Sequence, residues 1–164
     1  MHSLPSPEKA GPQAFYFSLQ AGPERTAGYS QIVLTPATVG GESVWQYASD
    51  TVVSGEVGPQ VAAAMRATLK ADFEPIEAAI WRREVSGSGN KELESHHARF
   101  AADAIEIEVR QGGKSRSVRM ERPERPFVFG MEALMAVHEP KVGRHFVLRE
   151  FSARTGEAPM VEFG

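Results

Sequence analysis

The chain has no cysteine among its 164 residues, which excludes a disulfide framework, a thiolate zinc site, an iron–sulfur cluster and a thiol nucleophile together. Stability must therefore come from core packing. No apolar run approaches the roughly 20 residues of a membrane-crossing helix. The opening stretch, residues 1–9, also lacks the apolar segment of about 7–15 residues that a secretory signal carries. An excess of one charge sign is missing as well: 18 Lys and Arg stand against 21 Asp and Glu, leaving a formal net charge of −3. The field of the whole molecule gives nucleic acid or an anionic surface no reason to bind. What remains is 41% apolar and 24% charged residues, a balance that suits a folded domain rather than a disordered chain, at a length that suits one domain.

Residues 1–14, with their prolines, glycine and lysine, read as a flexible leader of the kind that tethers a processed envelope protein; residues 15–164 read as the domain. The compartment is periplasm or cell envelope if a signal has been removed, and cytoplasm otherwise. Within the domain, period-2 alternation dominates. Phe15, Phe17 and Leu19 share one face of a first strand, and Tyr29 to Leu34 form a second, closed by Pro36 and by Gly40-Gly41. Val44 to Val53 supply a third. Alanine-rich residues 61–70 are ambiguous by propensity, but Met65, Ala67 and Leu69 alternate with Arg66, Thr68 and Lys70, which favours a strand from residue 64. Residues 76–85 run into the turn Ser86-Gly87-Ser88-Gly89-Asn90. Residues 94–100, 104–110 and 115–120 follow, the last two joined by Gln111-Gly112-Gly113-Lys114. The period then changes, because Met131, Leu134, Met135 and His138 lie at helical spacing before Pro140. A last hairpin spans 145–151 and 159–163. The expected fold is mainly β, a strongly curved antiparallel sheet of about nine strands with one helix packed in its concavity.

This element order, with Asp72-Phe73-Glu74-Pro75, a Gly-Gly-Lys hairpin, a Pro-Phe-Val-Phe segment opening at Pro126, and Gly143 before a strand turned at Thr155-Gly156, resembles the half-barrels of bacterial outer-membrane lipoprotein carriers and related exported domains. The resemblance implies an incomplete barrel around a helix, holding an apolar molecule, a lipid or a lipoprotein-like partner, with no catalytic residue and no cofactor. Relatives often continue past the point where this chain stops at Gly164, so truncation at the C-terminus is expected.

Aromatic residues supply the candidate ligand site. Trp45 and Tyr47 share a strand face, Trp81 lies near Arg83, and Leu134 and Met135 belong to the expected helix; in a curved sheet these line a pocket, in a closed one they are plain core. A cofactorless enzyme would use the same cavity with His97, Glu77 or Arg83 as polar groups, and a structural or interaction domain would need no cavity. His96 and His97 are adjacent on a strand and point to opposite faces, so they do not converge on one metal, and no metal site is expected. Ser86-Gly87-Ser88-Gly89 lacks the flanking glycines and the strand-to-helix elbow of a nucleophile motif. Residues 110–125 carry Arg110, Lys114, Arg116, Arg119, Arg122 and Arg125 against Glu121 and Glu124. That basic hairpin suits an anionic surface, or simply an edge strand protected from pairing. No aromatic interrupts it, which argues against nucleic acid.

Overall fold

The structure is a computed structural model that describes residues 6–20, 26–54, 60–122, 127–130 and 146–163, except 153, 156 and 158. Eight strands form one antiparallel sheet in which each pairs with its sequence neighbours: β1 (Gln13–Gln20), β2 (Thr26–Val39), β3 (Glu42–Val53), β4 (Gln60–Leu69), β5 (Pro75–Ser86), β6 (Gly89–Phe100), β7 (Ala104–Gln111) and β8 (Lys114–Glu121). The sheet is open, with β1 and β8 at its edges. A separate two-stranded sheet holds β9 (Phe146–Arg149) and β10 (Met160–Phe163). The protein is thus mainly β and antiparallel, with ten strands among the described residues in place of about nine. Among the described residues, helix is limited to the 3-10 turn Pro7–Lys9, which lies in the expected leader, packs on β2 and β3 and buries Pro7. The helix expected around Leu134 and Met135 lies outside the described residues.

Two hairpins close as their Gly-Gly dipeptides require. Gly40-Gly41 and Gly112-Gly113 take positive φ at both positions, the backbone of a two-residue turn whose twist matches its strands. Pro36 does not end β2 as expected. β1 begins opposite Leu34, so from Thr35 onward β2 is paired with β3 alone and is locally an edge, whose unpaired side tolerates a missing N–H. The alanine-rich segment is the strand β4, extending back to Gln60: cross-strand packing overrides helix propensity.

Register sorts the side chains into two faces. On one face, Phe15 sits opposite Ile32, Leu34 opposite Tyr47, Trp45 opposite Leu69, Met65 opposite Ile80, Ala78 opposite Ala98, and Ile107 opposite Val118. This is the core face. Phe73, Phe127, Val128, Phe129 and Phe151 join the same buried cluster. The rings of Phe100 and Phe151 meet edge-on at 4.8 Å, those of Tyr47 and Phe129 at 5.8 Å. The cover is fastened through the backbone: the Phe129 N–H donates to the Phe73 carbonyl at 3.3 Å, the Val128 N–H to the Arg149 carbonyl and the Phe151 N–H to the Val128 carbonyl.

Candidate functional site

The opposite face of the sheet is polar and carries a groove of about 390 Å³. Small side chains in the middle strands create it. Thr68 on β4 and Ala79 on β5 are buried on this face, while longer neighbours on β3 to β7 rise around them. Three cross-strand rows define the walls. Gln46, Thr68 and Glu77 form the first: the Thr68 hydroxyl accepts from Gln46 Nε2 at 3.2 Å and donates to Glu77 Oε1 at 3.1 Å. Arg66, Ala79, His97 and Glu108 form the second. Ala64, Trp81, Ser95 and Arg110 form the third. With Ala64 and Ser95 on either side of it, the Trp81 ring has no bulky cross-strand neighbour and remains 39% exposed.

The charges in the walls are largely matched. Arg66 holds both carboxylate oxygens of Asp50 at 3.0 Å, and Arg110 donates twice to Glu108 Oε1, at 3.0 and 2.8 Å. The hydrogen bond from Arg110, then its charge, hold the exposed Glu108 carboxyl below the usual glutamate range. His97 and Glu77 are diagonal neighbours across β5 and β6, a relation that leaves long side chains within reach of each other. The groove therefore presents acceptors, donors and one flat apolar ring around a shallow, open floor. Its guanidinium groups are already engaged, Arg66 by Asp50 and Arg110 by Glu108.

The expected site residues divide between the two faces. Trp45 and Tyr47 are buried on the core face, Trp45 at 0% exposure, while Trp81 is on the polar face. Trp81 and Arg83 do come together, lining with Ala64, Arg82, Asn90 and Glu92 a second depression that adjoins the groove at the indole. Leu134 and Met135 lie outside the described residues. Gln46, Arg66, Thr68, Ser95, Glu108 and Arg110 were not singled out from the sequence as groove residues; alternation assigns each a face, but only the register of β3 to β7 makes them neighbours.

Two further charged clusters tie the fold together. Glu94, with a side chain 8% exposed, lies on the core face beside Arg82 at 2.7 Å and Arg154 at 3.2 Å, with His96 Nε2 at 3.6 Å. Burial resists ionisation of Glu94, but the hydrogen bond from Arg82 and the charges of Arg154 and Arg82 outweigh it, and the net shift is downward. Glu74 is lowered in the same way: burial opposes, and hydrogen bonds from Lys70, at 2.8 Å, and from Arg122 prevail. Arg122 also donates to the Ala101 carbonyl and lies 5.3 Å from the Phe127 ring centroid. The basic hairpin is thus partly neutralised by Glu108, Asp103 and Glu74. Ser86 and Ser88 face each other at 2.9 Å across the β5–β6 turn. Among the described residues no three His, Asp or Glu side chains lie close enough to hold a metal ion, and no helix is long and apolar enough to cross a membrane. No family model, no curated protein and no solved structure matches the chain.

Proposed function

We propose that the protein is a non-enzymatic binding module of half-barrel type that takes a small, neutral, hydroxyl-bearing ligand into the groove on its polar face. The observation that carries this reading is the exposed Trp81 ring beside a floor of Ala79 and Thr68, with Gln46, Glu77, His97 and Ser95 supplying hydrogen-bonding groups around it. A flat ring stacks on the apolar side of a ligand, and the surrounding groups orient it, the usual division of labour in small-molecule sites.

The resemblance to lipoprotein carriers supports a second reading, an apolar cargo on the core face. Phe73, Phe127, Phe129 and Phe151 occupy that face, so cargo would have to displace them. A buried Trp45 Nε1 without a partner among the described residues favours some rearrangement there. The two tryptophans separate the readings, one on each face. In a Trp45→Phe variant only Trp81 reports, and titration with mono- and oligosaccharides should shift its emission; in a Trp81→Phe variant only Trp45 reports, and fatty acyl chains should shift it if cargo enters the core face. A silent Trp81 across a saccharide panel removes the groove reading, and a silent Trp45 with acyl chains removes the carrier reading.

A further inference from the structure

The two edges of the open sheet are chemically unlike. β8 carries Lys114, Arg116 and Arg119 along a strand that is exposed almost throughout, the ordinary protection of an edge against pairing. β1 has none: Gln13–Gln20 reads QAFYFSLQ, with no charge, no proline and no glycine. Its outward backbone groups face no strand among the described residues. Its side chains show the missing neighbour as well. Phe15, Phe17 and Leu19 point to the core face but are only half-buried, whereas Ile32, which stands opposite Phe15 on β2, is buried. On the polar face Tyr16 is 74% exposed and Tyr29, on the adjoining strand, 67%.

We infer that β1 pairs antiparallel with β1 of a second copy of this chain, joining two open sheets into one. A two-fold axis perpendicular to the sheet keeps core face beside core face, and this requires residues of the same parity to stand opposite one another. Every register centred on a residue satisfies it, and the two nearest the middle of Gln13–Gln20 pair the most residues. Centred on Tyr16, the pairing sets Phe15 opposite Phe17 on the core face and the two Tyr16 rings together on the polar face; centred on Phe17, it sets Phe15 opposite Leu19. Aromatic and aliphatic pairs of this kind stabilise adjoining strands, and no like charges meet. The absence of charge selects a second copy over a charged partner segment, and it selects β1 over β8, where self-pairing would bring lysine and arginines together. A strand of eight residues is about 27 Å long, so the contact belongs to the small, transient end of the size range of interfaces.

Sedimentation equilibrium of the full chain from about 1 to 500 µM should show a reversible monomer–dimer equilibrium, and Tyr16→Lys with Ser18→Lys should weaken it by at least about tenfold. Both residues are exposed, and the circular dichroism of the variant should match the native protein. Arg116→Glu on β8 should leave the equilibrium unchanged. Amide exchange on the native protein provides a second measurement that no folding defect can confound: protection in residues 13–20 should rise with concentration. A native chain that remains monomeric throughout, a dimer unaffected by the lysines, or β1 amides whose exchange ignores concentration would each overturn the inference.

Discussion

Phe73 is the residue whose position is hardest to anticipate. It is fully buried and has φ of +67°, a backbone region costly for a bulky side chain. The loop over-determines it: the Phe73 N–H donates to the Lys70 carbonyl at 3.0 Å, the Lys70 N–H to the Glu74 carbonyl at 2.8 Å, and Asp72 Oδ1 accepts from the Glu74 N–H at 3.1 Å. Phe73→Ala should lower stability by about 3–5 kcal/mol, as large-to-small core substitutions do, measured by urea unfolding. A loss within roughly 0.5 kcal/mol would place the ring outside the core. The sequence marks Asp72-Phe73-Glu74-Pro75 as a connection, but nothing in it distinguishes a phenylalanine that points inward from one in solvent. Glu74 and Glu94 give a second prediction at this scale. Both carboxyls titrate lower in the folded protein than in the unfolded chain, so the unfolded chain binds more protons and stability rises with pH across that window. Their contribution is complete above the unfolded value of about 4.3 and is lost as pH falls through the lower folded values. The Tm difference between native protein and Glu94→Gln should therefore be largest near neutrality and shrink toward pH 3. A difference that is constant or grows on acidification would show that the ion pairs are not the source.

Among the elements, strand identity and the hairpins at Gly40-Gly41, residues 86–90 and residues 111–114 were legible, and the register across the sheet was not. Alternation located every strand of the main sheet, with ends off by up to five residues, because most of them have one face turned to the core and one to solvent. Pro36 misled, since its tolerance depends on where the neighbouring strand begins, a fact held by β1 rather than by β2. The groove was illegible for the same reason. Arg66 and Thr68 could be assigned to one face of β4, and Glu106, Glu108 and Arg110 to one face of β7, but the shifts at Thr68/Leu69 and Arg82/Arg83 set which of them meet across the sheet. Hydrogen exchange tests the assigned order. Amides of β4 and β5, paired on both sides, should exchange only with global unfolding, whereas those of β8, paired with β7 alone, should exchange through local fraying at a lower free energy. Equal protection in β5 and β8 would require an unseen neighbour for β8.

For the molecule as a whole, the decisive contacts join the sheet to the segments that follow it. Residues 127–130 and Phe151 bury against strands that are complete by residue 121. A chain ending at residue 122 should keep its strand signature in far-ultraviolet circular dichroism while binding an apolar dye such as ANS, because Trp45, Tyr47 and Ile105 lose their cover. No dye binding by the shortened chain would mean that the core face closes on itself.

The simple strand order has a consequence for synthesis. Each strand pairs only with those immediately before and after it, so a chain emerging from the ribosome can add each hairpin to the last without waiting for a distant partner. The sheet grows in the order in which it is made. Its apolar side, however, remains open until the final stretch arrives, so the risk of aggregation falls late in translation and is greatest just after β8 has formed. A premature stop between residues 122 and 151 would release the chain with its apolar face uncovered, and that species is the one a chaperone has most to protect.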